Sequence, residues 1–281
     1  MRKVSNKFDR SGNIVAYLRS IELDVSKDTL AKYFFEPEDV KFANKWLKQF
    51  PFVARHIALR GRYIEDSLMK FAKEYNIRQV VNIAAGVNSF PYRHSEANYF
   101  KSYIEIDRHN MIEYKKKCIK KIINNGISLS KEPAVNYISL DLLSEDAVKQ
   151  FSNLPFNQKL PSIYIFEGIA CWLEYKNLIE LINNISKYMA KKSIFIMDYL
   201  PKRTSNNEPS YSEGQAIIDD QGTCTNIKYL SKEKIRSLFG PFYNIISDER
   251  IKDLENKYYS SSLEKPSIPN ELCSVLIAER I

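Results

Sequence analysis

The sequence predicts an α/β protein, a Rossmann-like doubly wound seven-stranded sheet with an N-terminal helical cap. Three observations carry that prediction. Seven short strand-like runs follow one another between Gln79 and Glu279. Most are separated by helix-length stretches, the alternation that builds a mainly parallel sheet covered on both faces. The third is VVNIAAGVNSFPYR at Val80–Arg93, an apolar run ending in the small-residue turn Ala84-Ala85-Gly86. A second run, YIEID at Tyr103–Asp107, ends in acids about twenty residues later, the spacing of a nucleoside-binding half-sheet.

In chain order, Ile14–Leu23 has helical spacing, with Ile14, Tyr17, Leu18 and Ile21 on one face. Thr29–Phe35 and Val40–Leu47 are shorter helix candidates separated by Glu36-Pro37. A longer helix is expected over Phe52–Tyr75, with Pro51 at its first turn and Val53, Ile57, Ile64, Leu68 and Phe71 on its apolar face. Residues 1–75 would form the cap and residues 76–281 the α/β core, packed as one unit. The strand runs are Gln79–Ala84, Tyr99–Ile106, Ala134–Leu140, Ser162–Glu167, Ser193–Leu200, Phe242–Asp248 and Leu272–Glu279. Asn110–Asn124, Glu145–Phe151, Lys176–Met189 and Lys232–Phe239 are the helices among them. Because a short helix and the Ser/Pro-rich loop Ser260–Pro269 join the last two runs, an antiparallel final strand is expected. Thr204–Ser212, TSNNEPSYS, is loop-like and is expected to cover the site as a lid.

Composition excludes several classes. With 44% apolar and 12% aromatic residues, the chain can bury a substantial core. Its formal charge of +8 is scattered among 34 acids. The densest basic run, Lys115-Lys116-Lys117 with Lys120-Lys121, reads as a solvated helix face rather than a nucleic-acid surface. Cys118, Cys171, Cys224 and Cys273 form no C-x-x-C pair, and His56, His94 and His109 lie at no metal-ligand spacing, so no metal is expected. The first residues lack an apolar h-region, and no apolar run is long enough to span a bilayer. A cytoplasmic setting with reduced thiols is the default, and no feature names an oligomeric state.

A dinucleotide needs three glycines in its turn, because a pyrophosphate lies against bare backbone. This chain keeps Gly86 and has Phe90 near the last glycine position. S-adenosylmethionine (SAM) carries no phosphate, so the pattern favours SAM as the cofactor. Ligands bind outside the carboxyl ends of parallel strands. Those ends carry Ala84-Ala85-Gly86, then Glu105 and Asp107, Asp141, Glu167-Gly168, and Asp198-Tyr199. For any one acid a helix N-cap is the plain alternative. An ordinary strand–turn–helix with a surface acid also remains open on spacing alone. Upstream, LRGRYIED offers Arg60 and Arg62, whose forks match a carboxylate, although most arginines are solvated.

LRGRYIED, VVNIAAGVNSFPYR, YIEIDRHNMIEYKKK, SLDLL, FEGIACWLEY and the terminal VLIAERI resemble, in order and spacing, the leucine carboxyl methyltransferase family. That family includes protein phosphatase carboxyl methyltransferases and many bacterial small-molecule O-methyltransferases of secondary metabolism. The similarity runs from Arg60 to the end and, more loosely, through the N-terminal helices. It implies a class I SAM-dependent methyltransferase fold. It also implies that Arg60, assisted by Arg62, pairs with the SAM carboxylate, and that Ala85 and Gly86 lie against the methionine portion. By the same resemblance Asp107 holds the ribose, Asp141 and Leu142 frame the adenine, and Glu167-Gly168 face the amino group. The family usually has Gly-Ala-Gly-Leu-Asp-Thr-Arg where this chain has Ala84–Phe90, so an acid becomes Asn88 and a cation becomes Phe90. After Gly168 the family continues with aliphatics and a Tyr-Leu pair, where this chain has Ile169-Ala170-Cys171-Trp172-Leu173.

The expected activity is O-methylation of a small-molecule carboxylate, which is ionised at neutral pH and needs no general base. Tyr92, Arg93 and Arg203 are candidates to clamp such an acceptor, with Cys171 and Tyr211 also near it, although each of the clamp residues has an ordinary structural role as its alternative. Asn88, Phe90, Trp172 and Tyr199 are the candidate catalytic residues. Phe90, Trp172, Tyr199 and Tyr211 also allow a different reading, an aromatic cage around the sulfonium in which SAM attacks itself and releases methylthioadenosine, as in azetidine-2-carboxylate synthases. Core packing is the common fate of such aromatics. A non-catalytic SAM-binding protein is the remaining alternative, and the set Arg60, Asp107 and Glu167 argues against it.

Overall fold

The apolar runs become one sheet of seven strands in the order β3-β2-β1-β4-β5-β7-β6. The computed structural model describes residues 10–130, 134–144, 147–202, 227–240, 242–259, 267–269 and 272–281. The strands are β1 (Gln79–Ile83), β2 (Ser102–Asp107), β3 (Val135–Ser139), β4 (Ile163–Phe166), β5 (Ile194–Tyr199), β6 (Tyr243–Arg250) and β7 (Ser274–Arg280). The helices are α1 (Ser11–Ile21), α2 (Leu23–Ser26), α3 (Pro37–Gln49), α4 (Val53–Glu74), α5 (Phe90–Arg93), α6 (His109–Asn124), α7 (Ala147–Ser152), α8 (Tyr175–Ser186), α9 (Lys232–Phe239) and α10 (Glu255–Tyr258). Neighbours among β1–β5 pair in parallel. β7 runs antiparallel between β5 and β6, as the short final connection predicts. Strand order reverses between β1 and β4, which opens a crevice at their carboxyl ends.

Every residue of β1, β4 and β5 is buried, so the sheet must be covered on both faces. Period-two alternation sends Val80, Ile163, Ile194 and Ile196 to one side, where they meet Ile57, Leu68 and Phe71 of α4. Val81, Phe166, Phe195 and Met197 face the other side and meet Phe151, Leu178, Ile182 and Phe239 of α7, α8 and α9. A third cluster joins Met111, Cys118 and Ile122 of α6 to Ala16 and Phe34 of the N-terminal segment.

Several boundaries differ from expectation, each for a local reason. Thr29–Phe35 contains a single 3-10 turn, Ala31–Tyr33, instead of a helix. Pro37 holds Glu36 extended (φ −118°, ψ 167°), and a Glu36–Asp39 capping box starts α3 there rather than at Val40. Pro51 lies in the turn before α4, whose first residue is Val53. Ser95–Tyr99 forms a 3-10 turn, so β2 begins at Ser102.

Lys115 corrects the solvated-face expectation for α6. Buried Met111, Lys115, Cys118 and Ile122 form one stripe, and Lys115 is 1% exposed. Its Nζ donates to Glu105 Oε2 at 2.6 Å. Glu105 therefore does not serve the crevice: it sits two residues short of the strand tip and is matched to Lys115. Burial raises the Glu105 pKa and lowers that of Lys115, while each partner opposes the shift of the other. No helix among the described residues is long and apolar enough to cross a membrane.

Candidate functional site

The crevice is a cavity of about 450 Å³, within the range of small-molecule sites. Its first edge comes from β1 and β2. Leaving β1, the chain turns through Ala84 (φ +54°) and Gly86 (φ +50°), and a Cβ placed on Gly86 would meet nothing within 4 Å. The open ground above the turn is therefore available to a ligand, and the positive φ is what favours glycine. At the tip of β2, Asp107 Oδ2 accepts from the Gly86 amide at 2.7 Å and Oδ1 from the Arg108 amide at 2.7 Å. One carboxylate thus ties both strand tips together and stays oriented. Its pKa is raised by burial, which outweighs the two amides. Asp141 and Leu142, beyond β3, and Met111 of α6 continue this edge.

The second edge is made of charged side chains. Arg60 of α4 reaches the tips of β4 and β5, with Nε and Nη2 donating to Glu167 Oε1 at 3.3 and 3.2 Å and Nη1 lying 3.1 Å from Asp198 Oδ2. Gly168 (φ +70°) donates its amide to Asp198 Oδ1 at 2.6 Å, and a Cβ there would sit 3.4 Å from Arg60 Nη2. Burial raises the Asp198 pKa against the pull of Arg60, and Glu167 pushes it the same way as burial. His56, one turn before Arg60, is held well below its usual pKa by burial and then by Arg60, so it is neutral. The Cys171 thiol is pushed up to about 12 by burial, with Asp198 adding to the effect, and stays protonated. Ile14 and Val15 of α1, Phe42 and Trp46 of α3, Ile57 of α4, and Trp172 complete an apolar wall.

Of the residues singled out from the sequence, the cavity gathers Arg60, Ala85, Gly86, Asn88, Asp107, Asp141, Leu142, Glu167, Gly168, Cys171 and Trp172. Others it does not gather. Arg62 pairs with Asp66 at 2.9 Å along α4, because two residues of helix rotate a side chain by about 200° away from Arg60. Asn88 Oδ1 accepts from the Phe90 amide at 3.0 Å, an Asx-type turn that buries Phe90 against His94 and Tyr103. Tyr92 meets Tyr137 through their hydroxyls. Arg93 is held by Ser89, Asp28 and Glu65. Tyr199 faces the α8–α9 side of the sheet and donates to Asp248 on β6 at 2.9 Å. The aromatic cage is thus not assembled, since of its four members Trp172 lines the cavity, Phe90 and Tyr199 lie in the core, and Tyr211 lies outside the described residues. Arg203 and the Thr204–Ser212 stretch also lie outside the described residues.

The sequence reading missed Arg19, His56, Asn82 and Asp198 as lining residues. Asp198 was visible as a strand-tip acid, and the signal that selects it over Tyr199 is strand alternation, which turns it toward α4. His56 and Arg60 are four apart on one helix face, a signal also present in the sequence. Arg19 carried no such signal.

The chain is similar to known proteins in sequence and in fold. Residues 14–186 match the family model described as leucine carboxyl methyltransferase. A putative S-adenosyl-L-methionine-dependent methyltransferase of Streptomyces coelicolor is 25% identical over 143 residues, which cover 50% of this chain and 44% of that protein. The match therefore spans less than half the length of that relative. A DUF574-family protein from Streptomyces avermitilis superposes with a TM-score of 0.65 at 12% identity, covering 96% of this chain and 97% of the other. A putative methyltransferase from Thermobifida fusca gives 0.65 at 14% identity, covering 92% and 94%. Magnesium protoporphyrin IX methyltransferase of Synechocystis, solved with bound SAM, gives 0.50 at 13% identity, covering 99% and 100%. The seven-stranded α/β sheet is that of the class I methyltransferases, and with more than half of its length matched by the family model, the chain belongs to the leucine carboxyl methyltransferase family.

Proposed function

We propose that this protein is a SAM-dependent methyltransferase that O-methylates a carboxylate of a small molecule. The observation that carries the SAM assignment is Asp107, fixed by the Gly86 and Arg108 amides beside open backbone at the switch point of the sheet. Those amides use about two of the carboxylate's four acceptor positions, leaving two for ribose hydroxyls. The remaining lining fits the rest of the molecule. Leu142 and Met111 offer apolar surface for adenine, and Glu167 offers an anion for the amino group. Among the described lining residues four carboxylates (Asp107, Asp141, Glu167, Asp198) face three guanidiniums (Arg19, Arg60, Arg108), complementing the net positive charge of SAM.

When bound, SAM supplies a methyl group on a sulfonium. The chain's own contribution is to hold the ligand ends and keep water from the reacting region, with Trp172, Phe42, Trp46 and Ile57 as the excluding surface. An ionised carboxylate requires no proton acceptor, which suits a cavity whose thiol stays protonated and whose nearby Tyr199 faces away. A second reading rests on His56: a hydroxyl acceptor requires a base, and a neutral imidazole lines the cavity.

The test is to incubate the protein with SAM alone, then with panels of carboxylic acids and of phenols and alcohols, and to identify sulfur products by mass spectrometry. S-Adenosylhomocysteine appearing with the acids supports the proposal, and its appearance with hydroxyl compounds selects the second reading. Methylthioadenosine above the uncatalysed background, formed without acceptor, overturns both.

A further inference from the structure

The cavity has two apolar surfaces, and the cofactor accounts for one of them. Leu140, whose amide donates to the Asp107 carbonyl at 2.8 Å, lies with Leu142 and Met111 on the β2–β3 side, where the reading above seats the adenosine. The other surface is built from Phe42 and Trp46 of α3, Ile57 of α4, Trp172 after β4, and Ile227. The ammonium and carboxylate that end the cofactor beside β4 call for ionic partners, not for a wall of this kind. Phe42, Trp46, Trp172 and Ile227 are each only partly buried. Large apolar side chains left partly uncovered in a concave site mark surface that a ligand covers.

The wall is aromatic, neutral and held in place. Phe42 and Trp46 are four apart on one face of α3, and Trp172 adds a third ring. Their chain neighbours in the lining, His56 beside Ile57 and Cys171 beside Trp172, carry no charge, so the part of a ligand resting here is uncharged as well. The Glu36–Asp39 capping box fixes the start of α3, and the Tyr17 hydroxyl of α1 donates to Asn44 Oδ1 of α3 at 3.4 Å. On the other side the Lys228 amide donates to the Cys171 carbonyl at 2.7 Å, and Lys228 Nζ lies 2.6 Å from Glu174 Oε1. Those two contacts keep Ile227 next to the turn that carries Trp172. A preformed surface costs a ligand little ordering, and a ring placed on it gains aromatic contact beyond the area it buries.

We propose that this wall seats the acceptor, that the acceptor is a carboxylic acid carrying an aromatic ring, and that Trp46 selects it. The inference deepens the methyltransferase reading above and rests on it. The test is calorimetric titration of the protein loaded with S-adenosylhomocysteine, using 3-phenylpropionate, indole-3-acetate, hexanoate and succinate. The two aromatic acids should bind about tenfold or more tighter than succinate, with hexanoate between them. Trp46→Ala should weaken 3-phenylpropionate about tenfold or more and leave S-adenosylhomocysteine affinity unchanged, while Trp46→Phe keeps most of the affinity for the acid. Succinate or hexanoate binding as tightly as the aromatic acids overturns the inference, and so does a loaded protein that binds none of the four. A Trp46→Ala protein with unaltered affinity for the acid also overturns it, as does one that loses S-adenosylhomocysteine affinity by the same factor, the mark of a merely structural Trp46. Wild-type protein that does not bind S-adenosylhomocysteine removes the SAM-dependent reading itself and the inference with it.

Discussion

The two edges of the cavity are built on different physical terms. The β1–β2 edge uses adjacent strand tips, two backbone amides and one carboxylate, so its geometry follows from the parallel register and a tight turn. The β4–β5 edge uses charged side chains from α1, α4, β5 and the loop after β4, buried except for the partly exposed Glu167. Local chain geometry holds the first edge. The second holds only while its charges balance, because breaking one partner of a buried pair strands the other. A ligand at the first edge meets a preformed cradle, and at the second it enters an ion network that it must complete or disturb.

The comparison predicts opposite consequences for substitution. Arg60→Ala should cost stability most, about 3–5 kcal/mol in urea unfolding, because the buried Asp198 would lose its counter-charge beside a partly buried Glu167. A loss below about 1 kcal/mol would mean that water already reaches this edge. Asp107→Ala should leave the protein folded and reduce S-adenosylhomocysteine affinity by about a hundredfold, the worth of two hydrogen bonds to a charged acceptor. Unchanged affinity by calorimetry would remove the ribose assignment. His56 sharpens the contrast through pH. Its folded pKa is depressed, so the unfolded chain binds the extra proton and stability is lost as pH falls below about 6.5, the unfolded value. His56→Gln should therefore gain stability relative to wild type between pH 7 and pH 5, and a constant difference across that window would show that the imidazole is not held neutral. The smallest effect belongs to Tyr199→Phe, which removes a hydroxyl bonded to Asp248 away from the cavity. It should cost about 1 kcal/mol of stability and leave S-adenosylhomocysteine affinity unchanged, and a weakened affinity would bring Tyr199 back to the site.

What the sequence determined by itself is what repeats or is local. The seven strands and their flanking helices were legible because burial on a sheet or helix imposes a period of 2 or 3.6 on apolar residues. The Gly86 turn and the Asp107 tip were legible because both belong to short segments whose conformation and spacing are local. Some information was present and outweighed by composition. The lysine run looked solvated, yet Lys115 occupies the Met111–Cys118–Ile122 stripe, and alternation already separated Asp198 from Tyr199. The tertiary structure alone decided which charges meet. Arg93 is engaged by Asp28 and Glu65, Arg60 by Glu167 and Asp198, and Arg19 by Asp28. The sequence separations are large, 107 residues for Arg60 and Glu167, and no local pattern encodes them. The physical reason is that a buried charge is stable only opposite its counter-charge, and three-dimensional packing chooses that partner.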